Sequence, residues 1–143
     1  MYEYFEFKDS EPEIVKSLTE VLNFLNVSNF RVATQRLPEN RRDKNINEII
    51  VRSNSRNQFN NELEESFTIY LFVHNENENV AYKTANDLTI KITNGLKIVK
   101  QHSNHFRNIY NISSSPFQDE GNLQIRSILF SAISYGTSIR VNK

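Results

Sequence analysis

A strand followed at once by a long helix decides the fold: residues 66–100 read SFTIYLFVHNENENVAYKTANDLTIKITNGLKIVK. The run from Ile69 to Val73 is apolar without alternation, which predicts a central strand covered on both faces or nearly so. Apolar residues then recur at helical spacing and form one continuous stripe: Ala81, Ala85, Leu88, Ile92, Leu96 and Val99. The stretch therefore predicts a buried strand feeding an amphipathic helix.

The ends and the middle of this helix carry their own signals. Asn77 and Asn79 are the two candidate N-caps, because an Asn side chain can accept from the first free backbone N–H groups. Gly95 lies near the apolar stripe and weakens the helix. A glycine in that position predicts either close packing against a neighbour or a bend.

A second helix is predicted near the start of the chain, over residues 10–26 (SEPEIVKSLTEVLNFLN). Ser10 and Glu13 have the spacing of a capping box, and Pro12 is tolerated only in a first turn. One face is apolar and consists of Ile14, Leu18, Val21, Leu22 and Leu25. No helix or strand is predicted for residues 1–9. An extended arm that packs on the body or on a neighbour is one alternative for them.

The remaining strands are shorter in this interpretation. FRVATQRL from Phe30 alternates and ends at Pro38, and EIIVRS follows as a second strand. PENRRDKN and NSRNQFNNELEE are interpreted as polar loops. After the long helix come FRNIYNIS and LQIRSILFSAISYG, and Gly136 either bends this last strand or begins a short further one, SIRV. The predicted order is α-β-β-β-α-β-β. We expect an α+β single domain over residues 1–143, with two helices packed on one mostly antiparallel sheet.

Composition removes several classes of function. The 143 residues include no Cys, which excludes disulfides, thiolate metal sites and Cys nucleophiles. Seventeen basic residues balance seventeen acidic ones, so no global charge draws the chain to nucleic acid or to an anionic membrane. No apolar run approaches the about 20 residues of a membrane helix. The aromatic, acidic start lacks the pattern of a signal peptide. We expect a protein used in cytoplasm, or carried in a particle assembled there.

Groups able to do chemistry are sparse. His102 and His105 have i, i+3 spacing, yet they lie in a polar stretch with no carboxylate cluster nearby, which favours a solvated helix end over a metal site. Glu62, Glu64 and Glu65 form an acidic group that we interpret as a solvated face. The three serines 113–115 favour turn chemistry. We therefore expect no catalytic residue, no metal and no cofactor.

Two polar segments are candidates for contact with partners. The only basic cluster consists of Arg36, Arg41, Arg42 and Lys44, and Glu39 and Asp43 interrupt it. This dilution favours a protein-facing or solvated loop over a nucleic-acid site, which stays open as an alternative. SSSPFQDEGN, residues 113–122, is interpreted as the tip of the final hairpin, either a contact element or a solvated loop.

The order of segments resembles that of the tail terminator proteins of long-tailed bacteriophages, also called tail completion or minor capsid proteins. In that family a strand feeds an Ala-containing helix, and a loop with a proline and an acidic residue precedes the final strand. Ala81 and Ala85 match the helix, and Pro116, Asp119 and Glu120 match the loop. Residues 1–9 and 36–47 depart from the family pattern.

The resemblance implies a structural virion protein without enzymatic activity. Such a protein forms a ring, usually a homohexamer, on the head-proximal end of the tail tube, stops tube growth and docks the head connector. Its partners would be further copies of itself, the tail tube protein and the connector, with the genome passing through the ring. The alternatives are a head–tail joining protein of the same fold and, in another class, a small nucleic-acid-binding module. The candidate contacts are Arg36, Arg41, Arg42, Lys44, Pro116, Gln118, Asp119 and Glu120.

Overall fold

The chain is an α+β protein with one five-stranded sheet, one two-stranded sheet and two helices. A computed structural model describes residues 1–142, with the side chains of residues 116–119 excepted. The helices are α1 (Ser10–Phe24) and α2 (Glu78–His102), and a 3-10 turn covers Glu39–Arg41. The strands are β1 (Tyr2–Glu6), β2 (Phe30–Ala33), β3 (Asn47–Phe59), β4 (Glu62–His74), β5 (Phe106–Glu120), β6 (Leu123–Tyr135) and β7 (Thr137–Val141).

The predicted central strand is confirmed. The five-stranded sheet has the order β2-β3-β4-β6-β5, so β4 lies in the middle with antiparallel neighbours on both sides. One face of β4 buries Phe67, Ile69 and Leu71 in the core beneath the helices. The opposite face carries Tyr70 and Phe72, which are half-buried because the segment between β2 and β3 lies beside them.

The long helix also forms as predicted. Asn77 is the N-cap, and its side chain accepts from the backbone N–H groups of Asn79 and Val80. Every member of the predicted apolar stripe is buried. Gly95 faces α1, where a Cβ would lie 3.3 Å from Leu18, so the close packing predicted at this glycine is confirmed. In the part of the chain that the structure describes, no helix is long and apolar enough to span a membrane.

The start of α1 differs from the prediction. Asp9 is the N-cap, and its carboxylate accepts from the N–H of Glu11 at 3.2 Å. The predicted capping box of Ser10 and Glu13 is therefore wrong, because Ser10 already lies inside the first turn and is fully buried. The predicted core face holds at Ile14, Leu18 and Leu22, while Val21 and Leu25 are half-buried.

Two of the three polar connections predicted between strands are largely strand. Residues 54–65 belong to β3 and β4, which meet at a tight turn around Asn60 and Asn61, with Asn60 at φ +57°. Residues 113–120 are the second half of β5, and only Gly121 and Asn122 form the turn into β6. The polarity that suggested loops is tolerated because antiparallel strands can keep one face in water, and because β5 is an edge strand.

Two features of the topology were not expected. The strand β2 pairs with β3 in the parallel direction, since the segment 34–46 carries the chain back to the end at which β2 began. The prediction of a single sheet is also wrong. Residues 2–6 form β1, which pairs antiparallel with β7 in a separate two-stranded sheet. Gly136 separates β6 from the short strand β7, which is the second of the two alternatives that the sequence offered for this glycine.

Candidate partner interface

A buried carboxylate organises the segment 34–46, which contains the predicted basic cluster. Glu48 lies near the start of β3 and its side chain is 8% exposed. Its Oε1 accepts from Nε of Arg36 at 2.9 Å and lies 3.8 Å from Nε of Arg42. Its Oε2 lies 3.4 Å from Nη1 of Arg31 and accepts from the N–H of Leu37 at 3.1 Å. A buried carboxylate persists only when it is paired in this way.

We call Glu48 with Arg31, Arg36 and Arg42 the Glu48 clamp. Two further contacts tighten it. The guanidinium of Arg36 lies 4.0 Å from the centre of the Phe72 ring, a cation–π distance. Nε of Arg42 donates to the carbonyl of Leu37 at 2.7 Å. The clamp therefore fixes the segment 34–46 against the sheet.

The four predicted basic residues divide into two pairs. Arg36 and Arg42 belong to the clamp, and their side chains are 28% and 32% exposed. Arg41 and Lys44 are exposed and take part in no ion pair with the described residues. Only Arg41 and Lys44 therefore offer their full charge to a partner.

The structure brings this segment close to the turn between β5 and β6. A cavity of about 260 Å³ is lined by Arg36, Arg42 and Lys44 from the segment and by Phe72, His74 and Leu123 from the sheet. Leu123 follows the turn directly and pairs with Glu120 and with His74. We call this region, the segment 34–46 with the turn at Gly121 and Asn122, the loop end.

The charges around the cavity nearly cancel. Besides Arg36, Arg42 and Lys44, its lining includes three acids: Glu39, Asp43 and Glu48. Equal numbers of both signs produce little net attraction for a phosphate group. The arrangement is better suited to a protein surface of mixed charge.

The turn itself is anchored to the connection between β4 and α2 and to β6. The N–H of Asn75 donates to the carbonyl of Asn122 at 3.0 Å, and Nε2 of Gln124 donates to the carbonyl of Gly121 at 3.3 Å. Gly121 has φ +59°, a conformation that favours glycine. The predicted contacts Pro116, Gln118 and Asp119 have side chains outside the described residues. Glu120 is exposed.

The predicted histidine pair lies near the opposite end of the sheet. His102 is exposed, whereas His105 is half-buried, with Nε2 3.0 Å from Oγ of Ser10. Burial lowers the pKa of His105, Glu13 and Glu65 oppose this effect, and Lys8 adds to it. The residues described contain no group of three or more His, Cys, Asp or Glu placed to hold a metal ion.

The acidic group matches its predicted solvated face only in part, since Glu64 is exposed and Glu62 is half-buried. Glu65 is buried and accepts from Oγ of Ser53 at 3.2 Å and from Nε of Arg56 at 3.1 Å. Glu62 pairs with Arg107. Burial and a hydrogen bond to Glu64 raise the pKa of Tyr110. These carboxylates are thus used in cross-strand pairing.

The sequence matches no protein-family model and no curated protein.

Proposed function

We propose that this protein is a structural subunit of a bacteriophage virion, a tail terminator. It forms a ring on the head-proximal end of the tail tube, stops tube growth and offers the docking face for the head connector. It assembles in the host cytoplasm and stays in the tail or neck of the particle. Its polar groups serve recognition of neighbouring proteins, and none takes part in a covalent step.

The loop end is the observation that carries this proposal. Two segments distant in sequence, 34–46 and the turn at Gly121, lie together at one end of the five-stranded sheet. The Glu48 clamp fixes the first, and the contact of Asn75 with Asn122 fixes the second. A preorganised polar surface of mixed charge favours a specific protein contact, because little ordering entropy is lost on binding.

The opposite end has a different chemistry, which suits a subunit that touches two kinds of neighbour. Tyr2, Tyr4, Phe59 and Tyr135 are all exposed there. Tyr135 lies beside the turn that follows Phe59, since it pairs with Glu62 and the N–H of Gly136 donates to the carbonyl of Asn61. The strand β7, which pairs with the strand that carries Tyr2 and Tyr4, begins directly after Gly136. Exposed apolar side chains grouped in this way are typical of protein interfaces. Copies of the chain, the tube protein and the connector are the partners we propose.

Electron microscopy of tails assembled with and without the protein tests the proposal. We expect tubes of unregulated length when the protein is missing and tubes of uniform length when it is supplied. Tubes of normal length that fail to join heads would contradict the terminator role and indicate a head–tail joining protein. A salt-dependent gel shift with generic DNA, together with normal tails in its absence, would indicate a nucleic-acid-binding module instead.

A further inference from the structure

The two terminal strands form a small sheet that stands apart from the core. All five residues of β1 pair with β7, from Tyr2 opposite Val141 to Glu6 opposite Thr137. Oγ of Ser138 donates to Oε1 of Glu3 at 3.2 Å, and Arg140 lies 4.0 Å from the same carboxylate. Among the helices and strands, β1 makes extensive contact with β7 alone. We call this pair the terminal ribbon.

The terminal ribbon leaves an apolar face in water. Tyr2, Tyr4, Ile139 and Val141 alternate onto one side of it, and Tyr2 and Tyr4 are 58% and 47% exposed. A two-stranded sheet without further partners is marginally stable in water. Strand pairing alone therefore gives the ribbon little stability of its own.

A short hinge joins β1 to the rest of the chain. Residues 7–9 lie between β1 and α1, and Asp9 caps that helix. Release of β1 must break its pairing with β7 and the close packing of Phe5 and Phe7 around Gly136. Release of β1 leaves α1 and the five-stranded sheet intact, because neither depends on a strand pairing with β1.

We propose that β1 is an exchangeable arm, which in the assembled protein pairs with β7 of a neighbouring copy in the same antiparallel register. A second copy is the fitting occupant because every contact of the ribbon, including Glu3 with Ser138 and Arg140, is reproduced between chains. Exchange of identical elements links copies at low cost, and a short hinge favours it. Passed head-to-tail from copy to copy, the arm links a ring where the rotation between copies closes, and in that respect the inference rests on the proposed function.

Single cysteines test the exchange, since the natural sequence contains none. Two variants, Tyr4→Cys and Ile139→Cys, are mixed at high concentration and oxidised mildly. The two positions are direct partners across the ribbon, at a Cα separation that a disulfide spans. Each variant carries one cysteine and cannot form this bond within its own chain. A mixed covalent dimer therefore shows that β1 of one copy lies beside β7 of another.

The control mixture replaces Tyr4→Cys with Phe24→Cys, a position on α1 that is 78% exposed and far from the ribbon in sequence. We expect several-fold more mixed dimer from the ribbon pair than from the control. Equal yields would overturn the proposal. So would cross-linking of Tyr4→Cys only with itself, which would mean that two ribbons meet face to face.

A locked variant gives a second, independent reading. This variant carries Tyr2→Cys and Val141→Cys in one chain. Oxidation at high dilution forms a disulfide between the two positions and holds β1 on its own β7. We expect this protein to remain a monomer at concentrations at which its reduced form associates. Association in the locked form would contradict exchange. Both readings use purified protein, so they separate failure of the arm from failure of the tail-terminating role, which only tail length reports.

Discussion

At the scale of single residues, Glu48 is the side chain on which the loop end depends. It carries one negative charge beneath three guanidinium groups, and a neutral amide in its place would leave those groups without a counter-charge. Removal of one partner from a buried pair costs about 3–5 kcal/mol, and partial exposure of the arginines reduces that cost. We expect Glu48→Gln to lower the free energy of unfolding by about 2 kcal/mol.

Urea unfolding of Glu48→Gln and of the wild type measures this difference. Glu39→Gln is the matched control, because Glu39 is exposed in the same segment and this substitution removes the same negative charge. We expect its unfolding midpoint to stay near that of the wild type. A similar loss in both variants would mean that the net charge of the segment matters and the clamp does not.

His105 should make stability depend on pH. Because burial depresses its pKa in the folded protein, the unfolded chain binds more protons near and below the ordinary histidine value. The stability contributed by neutral His105 is present above the unfolded pKa, and it is lost as pH falls through the folded one. We expect His105→Gln to lose less stability than the wild type between about pH 7.5 and pH 5.5.

Unfolding curves at the two pH values measure the change in the free energy of unfolding. His102→Gln is the control, because His102 is a nearby histidine that is exposed. His102→Gln should keep the pH dependence of the wild type. The same pH dependence in all three proteins would locate the titrating group elsewhere.

The two buried acids show where sequence reasoning fails at this scale. Glu48 stands at the head of the apolar run IIV, and Glu65 alternates onto the same face as Phe67. Hydrophobic patterning assigns both to solvent, since a charged side chain is rarely buried without partners. Their partners, Arg31 for Glu48 and Arg56 for Glu65, are set by strand pairing and not by sequence distance. The one signal of a buried acid in the sequence was the excess of arginine before Glu48, because those arginines need a counter-charge.

At the scale of elements, regular apolar spacing predicted α2 and β4 well, because burial of one stripe or one run leaves few alternatives. The lengths of β3 and β5 were underestimated. Their outer halves are polar, as in residues 54–59. Strand pairing and side-chain hydrogen bonds, such as that of Asn54 with Thr68, maintain them. The register of β5 also shifts three times, at 106–108, 110–113 and 116–118, so alternation does not persist along it.

The contact between the two helices should tolerate little extra volume. Gly95 lets α2 approach α1, with Leu18 and Val21 directly opposite. We expect Gly95→Leu to reduce the free energy of unfolding by about 2 kcal/mol, because extra carbons there force the helices apart. Thermal unfolding measures it, with Asn94→Leu on the exposed side of the same turn as control. A stabilised Gly95→Leu protein would mean that the contact is loose.

Gly136 should control the terminal ribbon alone. A Cβ at this position would lie 2.8 Å from the ring of Phe7, closer than side chains pack. We expect Gly136→Ala to speed amide hydrogen exchange in β1 and β7 while the amides of β4 exchange as before. Thr137→Ala, on the exposed neighbour, is the control. Equal protection of β1 in Gly136→Ala and the wild type would show that Phe5 and Phe7 do not hold the ribbon.

At the scale of the whole molecule, the protein has two ends of unlike chemistry on one sheet. The loop end is polar and fixed by hydrogen bonds, and the other end exposes aromatic side chains beside an isolated ribbon. The net charge of the chain is zero, so neither end can be inferred from global charge. Only the fold brings the distant polar segments together, which is why the sequence suggested the contact residues but not their common surface.

Reversal of charge at the loop end tests whether that surface docks a partner. Arg41 and Lys44 are exposed and lie outside the Glu48 clamp, so Arg41→Glu with Lys44→Glu should fold normally. If the protein is the proposed tail terminator, tails assembled with this double variant should carry few heads, because like charges at a matched surface repel. Lys16→Glu with Lys97→Glu, on exposed faces of the two helices, makes the same change in net charge and should preserve head attachment. Electron micrographs of the assembled particles give the fraction of tails joined to heads. Equal fractions for the two double variants would exclude Arg41 and Lys44 from the docking contact. A loss of head attachment confined to the loop-end variant would place the head connector at the loop end.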